Sequence, residues 1–228
     1  MISVCIPTYN GEKFIHKQLE SILKQLSDND EVIISDDSST DNTLGIIRTF
    51  SDKRIKLFEH NQFHSPIYNL ENALKQANGD YIFLSDQDDE WQDNKVAVCM
   101  EHLKKSDLII HNADVVDGKG NVLHESFYEL NHTKKGKIYN VIKNGYLGCC
   151  MCFNKKLLNV ILPFPKKLPM HDIYIGNYAA FNDFKISFID EKLIHYRRHG
   201  NNASITSERS KRSLISRISD RIKILMNI

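Results

Sequence analysis

Five short apolar runs mark the first half of the chain: Ile2 to Ile6, Val32 to Ser35, Ile55 to Phe58, Tyr81 to Leu84 and Leu108 to Ile110. Between them lie stretches whose apolar residues recur at helical spacing, such as Phe14, Leu19, Ile22, Leu23 and Leu26. Runs this short, with little polar alternation, fit strands buried on both faces, and their alternation with helices calls for a parallel sheet with crossover connections. In open α/β sheets the ligand site lies beyond the carboxyl ends of the strands. The polar punctuation falls there each time. Pro7, Thr8, Tyr9 and Asn10 follow the first strand, Asp36, Asp37, Ser38 and Ser39 the second, and Ser85 to Trp91 the fourth. Three loops are therefore expected to converge on one crevice.

The third of these loops is the most demanding chemically. Asp86, Asp88, Asp89 and Glu90 stand within five residues, directly after an apolar strand. Carboxylates this crowded raise one another's pKa, and a bound divalent cation relieves the repulsion. A helix-loop calcium site is excluded, because a loop begun at Asp86 would have Trp91 where glycine is needed and Ala97 where glutamate is needed. The first strand has no glycine-rich phosphate loop after it, and there is no Gly-x-Ser-x-Gly elbow. Cys149, Cys150 and Cys152 lack the paired spacing of a zinc site and sit in an apolar stretch, so core packing is expected of them. Five cysteines, an odd number, do not make a secreted disulfide framework. Trp91, the one tryptophan, is expected to pack rather than to line a site.

With 228 residues, 41% of them hydrophobic, the chain can form one ordinary domain with a stable core. No apolar run approaches the roughly 18 residues of a membrane span, and the first residues enter a strand directly, so a cytoplasmic protein is expected. From about residue 115 the strand–helix rhythm breaks. Gly118 and Gly120 predict a hairpin, residues 129–144 read as polar loop, and Tyr146 to Phe153 form an apolar strand-like stretch. Asp172 sits where an N-cap or first-turn acid would open a helix through Ile173, Ile175, Tyr178 and Ala179. This half is expected to cover the ligand edge of the sheet. Residues 197–228 hold eight Lys or Arg against Glu208 and Asp220, in a chain of net charge +1. Leu214, Ile215, Ile218, Ile222 and Leu225 fall at helical spacing there, as in a helix that lies on an anionic membrane surface or packs on its own domain.

The ordered set of motifs resembles a known family. Val4 to Gly11, then Asp36 to Thr43, then Gly79, Asp80, Tyr81 and the Asp86, Gln87, Asp88 run look like the inverting family 2 glycosyltransferases of the GT-A fold. Ser85 to Trp91 and Tyr196 to Asn202 narrow the likeness to a bacterial subgroup of rhamnosyl- and glucosyltransferases of surface polysaccharide assembly. The resemblance implies an α/β GT-A domain over 1–205, with a nucleotide-sugar half (1–114) and an acceptor half (115–205), followed by a basic amphipathic tail over 206–228. It implies a UDP- or dTDP-sugar donor, a glycan or lipid-linked acceptor, no nucleic acid, and peripheral attachment to the inner membrane face if the tail binds lipid.

The same resemblance assigns residues. Pro7, Thr8, Tyr9, Asn10 and Asp37 would form the base and ribose pocket, with Asp86 and Gln87 beside the sugar nucleotide. Asp86 and Asp88 would hold Mg²⁺ or Mn²⁺, with His199 as a further ligand and Arg197 or Arg198 on the diphosphate. Asp172 would be the base that takes the acceptor proton. The family commonly has an acidic pair at this place, where His171 here precedes Asp172. A sugar nucleotidyltransferase and a non-catalytic nucleotide-sugar- or glycan-binding paralogue remain as other classes.

Overall fold

The computed structural model describes residues 1–199 and Ile228, so the expected tail over 206–228 lies outside the described residues. Nine strands form a single sheet: β1 (Ile2–Thr8), β2 (Glu31–Asp36), β3 (Ile55–Phe58), β4 (Tyr81–Leu84), β5 (Glu90–Trp91), β6 (Leu108–Val116), β7 (Val122–His124), β8 (Met151–Asn154) and β9 (Ile186–Arg197). Their order is β3-β2-β1-β4-β8-β6-β9-β5, with β7 paired to β6. The first helices are α1 (Ile15–Leu23), α2 (Thr43–Thr49), α3 (Pro66–Lys75) and α4 (Lys95–Leu103). They are followed by α5 (Phe127–Asn131), α6 (Lys137–Ile142), α7 (Lys155–Ile161) and α8 (His171–Phe181). The fold is a mixed α/β layer structure.

The half formed by β3, β2, β1 and β4 is parallel throughout, as the rhythm of the sequence requires. Its central strands are buried almost end to end because α1 and α3 cover the sheet with Leu19, Ile22, Leu70 and Leu74, all fully buried. The apolar free energy gained there, roughly 1.5–3 kcal/mol for each large side chain removed from water, fixes the strand ends at which the site is built.

The second half departs from its expected role as a cover. It supplies strands to the same sheet, with β8 wedged antiparallel between β4 and β6, and β9 parallel to β6 along most of its length. The polar stretch 129–144 is not loop throughout, since it takes in the end of α5 and all of α6. The apolar stretch before Phe153 begins with a tight 3-10 turn, Gly148–Cys150, before it extends into β8. The hairpin predicted at Gly118 and Gly120 is β6–β7, and Gly120 takes a φ of +92° that L side chains rarely adopt. All five cysteines are free and buried, and Trp91 is packed in the core, as expected. No helix among the described residues is long and apolar enough to cross a membrane.

Candidate active site

The loops after β1, β2 and β4 are tied to one another before any ligand is considered. Asp36 is fully buried and acts as the knot: its carboxylate accepts from Thr8 Oγ1 at 2.8 Å, from the Ser39 amide at 2.8 Å and from Ser39 Oγ at 2.6 Å. Asn10 takes a left-handed backbone conformation (φ 50°), which Asn tolerates, and its Oδ1 accepts from the Thr40 amide at 2.8 Å. Asp37 is held by the loop after β3, its oxygens accepting from the amides of Phe63 (2.6 Å) and Ser65 (3.2 Å). A carboxylate offers about four acceptor directions, so capacity remains for a base or ribose donor. Tyr9 is 56% exposed, and Phe63, whose amide donates to Asp37, is also exposed.

Gln87 does not reach outward. Its side-chain amide makes a reciprocal pair with the backbone of Tyr9, accepting from the amide at 2.9 Å and donating to the carbonyl at 3.0 Å. A Cβ on Gly11 would lie 2.5 Å from Gln87 Oε1, so this staple requires glycine there. Gly11→Ala is expected to displace the Gln87 side chain and raise the Michaelis constant for the donor several-fold with a smaller change in turnover. Steady-state kinetics at saturating acceptor would read this split, and an unchanged constant would remove Gln87 from the positioning of Tyr9.

The acidic loop is carried from below by α1, where Gln18 Nε2 donates to the Asp86 carbonyl at 2.9 Å and to Ser85 Oγ, and Ser21 Oγ accepts from the Trp91 amide at 2.9 Å. From the far side comes the end of β9. Arg197 is buried, and its amide donates to Asp89 Oδ1 (2.9 Å), its Nε to the Asp88 carbonyl (2.9 Å) and its Nη1 to the Asp117 carbonyl (3.1 Å). Its guanidinium also lies over the Phe14 ring. Arg198 turns to the Tyr196 ring, and its buried Nε has no hydrogen-bond partner among the described residues. His199 stacks on Phe14 and places Nε2 2.7 Å from Asp88 Oδ2. Asp88 and His199, 111 residues apart in the chain, are thus brought together.

Asp172 occupies the first turn of α8 and is 5% exposed. It is a first-turn acid and not the N-cap, which is Met170. Burial pushes its carboxyl up to about 6, against hydrogen bonds from the Ile173 amide and the Asn144 side chain. His171, also desolvated, is pushed down to about 4 and is therefore neutral at pH 7; its ring fills the space a Cβ on Gly148 would need. Burial first, then the carboxylates of Asp88 and Asp172, push Asp86 up to about 7. Asp86, Asp88 and Asp172 therefore share one electrostatic neighbourhood, with Asp86 within the field of both others.

Several residues of this neighbourhood carry no local sequence signal. Lys95 is fully buried, its Nζ 4.2 Å from the centre of the Trp91 ring and donating to the Cys149 carbonyl at 2.9 Å. An i, i+4 Trp–Lys pair at a helix start reads as a surface lysine unless the acidic loop above it is known to be buried. Asp89 and Cys149 come together only through the β4–β8–β6 pairing.

The model of Glycosyl transferase family 2 matches residues 3–162. The chain belongs to this family. Among curated relatives, the UDP-Glc:α-D-GlcNAc-diphosphoundecaprenol β-1,3-glucosyltransferase WfgD of Escherichia coli is 30% identical, over 92% of the chain and 81% of the relative. The dTDP-rhamnosyl transferase RfbG of Shigella flexneri is 28% identical, over 86% and 72%. Among solved structures, TarS 1–349 of Staphylococcus aureus in complex with UDP aligns with a TM-score of 0.68 at 25% identity, over 86% of the chain and 60% of TarS 1–349. The fold is that of the GT-A glycosyltransferases, and the chain spans about 60% of that solved neighbour. As a family 2 glycosyltransferase domain it is a transferase of an inverting family that generally uses a divalent metal.

Proposed function

We propose that this glycosyltransferase moves a sugar from a UDP- or dTDP-sugar to a hydroxyl of a glycan or lipid-linked acceptor in bacterial surface polysaccharide assembly. One observation carries the reading. What supports it is that Asp88 of the acidic loop is joined to His199 beyond β9 at 2.7 Å, with Asp172 buried in the first turn of α8 near enough for its charge to add to the upward push on Asp86.

In this reading residues 1–114 hold the nucleotide, 115–205 the acceptor, and 206–228 the route to an anionic membrane surface on the cytoplasmic side. The exposed Tyr9 ring takes the base by stacking, and Asp37 accepts from base or ribose; Pro7, Thr8 and Asn10 shape the loop. Gln87 fixes that loop. The donor set of Asp86 and Asp88 carboxylates with the His199 imidazole suits Mn²⁺ or Mg²⁺, oxygen being preferred by both. A cation held there supplies Lewis-acid relief of charge on the departing diphosphate. Arg197 is committed to the loop backbone, which leaves Arg198 as the arginine for a phosphate.

Asp172 accepts the acceptor hydroxyl proton as that oxygen attacks the anomeric carbon. The bond from that carbon to the diphosphate oxygen breaks on the opposite face, and the nucleoside diphosphate leaves with the bonding pair. Product stereochemistry tests the scheme. NMR of the product from an α-linked donor should give a β linkage, and an α product would overturn direct displacement. The pH profile is a second check. Only ionised Asp172 takes a proton, so turnover should fall as the pH drops through about 6, and a flat profile down to pH 5 would remove Asp172 from the role.

A further inference from the structure

We infer that the Gly148–Cys150 turn positions the base Asp172, and that Lys95 and two reciprocal ring-into-glycine contacts hold the turn in place, an assignment that rests on the transferase reading above. α8 opens without a capping side chain, since Met170 stands at its N-cap, so the turn that carries Asp172 depends on its neighbours for its position. Two contacts join that helix to the segment before β8, one from each side. The His171 ring of α8 occupies the place of a Cβ on Gly148, which would lie 2.6 Å from Nε2. The Tyr146 ring in turn occupies the place of a Cβ on Gly176 of α8, which would lie 2.5 Å from it. Neither glycine takes the positive φ that calls for glycine, so what excludes a side chain at each is the ring seated against it. Asn144 reinforces the join, because its side chain bonds both backbone groups of Tyr146, at 2.9 and 3.0 Å, and also bonds Asp172.

The turn is fastened from the donor side as well. A lysine is rarely buried completely unless its nitrogen is in use. Lys95 is fully buried, and its Nζ donates at 2.9 Å to the carbonyl of Cys149, the middle residue of the turn. The same nitrogen lies 4.2 Å from the centre of the Trp91 ring, and Trp91 ends the acidic loop, with its amide bound by Ser21 of α1. The turn is closed on itself by the Cys150 amide, which donates to the Leu147 carbonyl at 3.0 Å. A continuous series of contacts therefore runs from the acidic loop through Trp91, Lys95, the turn and His171 to Asp172. Its consequence is geometric. A base displaced by about 1 Å loses on the order of 10²-fold in rate, while the pocket that holds the nucleotide is untouched. Lys95, Tyr146, Gly148 and His171 act through Asp172 and are positioning residues.

The test reads turnover and nucleotide affinity separately in the full chain. kcat is measured with a donor and acceptor that wild type turns over, at saturating Mn²⁺, and expressed per UDP-binding site counted by calorimetry, so that unfolded protein drops out of the comparison. Gly148→Ala should lower kcat by about 30-fold and Lys95→Met by about tenfold, with UDP affinity changed less than about threefold in each. In a His171→Ala background, adding Gly148→Ala should cost less than about threefold, because the ring that the new methyl would displace is gone. Lys95→Met adds no bulk at the turn and gives a second reading if Gly148→Ala does not fold. Unchanged kcat in both single variants, or an equal loss from Gly148→Ala with and without His171, would overturn the assignment. Asp172→Asn measured beside them separates the two readings. Turnover kept by Asp172→Asn removes the base itself, whereas turnover lost there and kept in Gly148→Ala and Lys95→Met removes only the positioning role.

Discussion

Asp172→Asn is expected to lower transfer by about 10²–10⁴-fold while donor affinity changes less than threefold. The amide keeps the size of the side chain and can still accept from the Ile173 amide, which Asp172 Oδ1 does at 2.7 Å, so the first turn of α8 survives. What it loses is the lone pair that takes a proton at neutral pH. The same change should stabilise the fold. Burial raises this carboxyl from 3.8 to about 6, so the stability it contributes is full below pH 4 and is lost as the pH rises through 6. At pH 7 the ionised wild-type group therefore destabilises by on the order of 2–3 kcal/mol, which the neutral amide avoids. Thermal melts at pH 7.5 and pH 3.5 should show the variant ahead by several degrees at the higher pH and little changed at the lower. A variant that turns over near the wild-type rate would end the assignment.

Asp88→Ala should abolish metal-dependent donor binding, a loss of roughly 100-fold or about 2.7 kcal/mol. Asp88 joins the acidic loop to His199 at 2.7 Å, so alanine removes both a ligand oxygen and the anchor of the chain just beyond β9. Calorimetry with UDP, with and without Mn²⁺, separates the two effects. His199→Ala removes the anchor and one nitrogen donor but leaves both carboxylates, and should cost less, about tenfold. Equal donor affinity for Asp88→Ala with and against wild type in Mn²⁺ would remove this position from the metal site.

The parts of this fold legible in the sequence are those where one physical demand acts alone. β1, β2 and β4 are buried on both faces, so their residues could only be apolar runs, and the loops that follow them announced themselves by polarity. β9 obeys two demands. Its middle, Asp190 to Lys192, is exposed between the buried pairs Phe188–Ile189 and Leu193–Ile194, and its pairing with β6 shifts register near Asn112, so neither a continuous apolar run nor a clean alternation appears. The site divides in the same way. Asp86 and Asp88 stand out as crowded carboxylates at a strand end, whereas Asp172 stands out only as a first-turn acid, and its proposed role as base comes from the family resemblance. Lys95 and Cys149 do not stand out, since a lysine and a cysteine acquire meaning there only from what tertiary pairing places above them. Gln87 was conspicuous and is used differently, turned inward on Tyr9.

That inward amide makes the nucleotide-facing and cation-facing loops a single mechanical unit. A ligand that immobilises one immobilises the other, so part of the ordering entropy for the second is already met by the first. Nucleotide and metal ion should then bind with positive cooperativity, each raising the other's affinity by the same factor. The size of that factor in wild type, set against Gly11→Ala, measures how much of the cooperation is transmitted through the protein backbone and how much through direct contact between the two ligands.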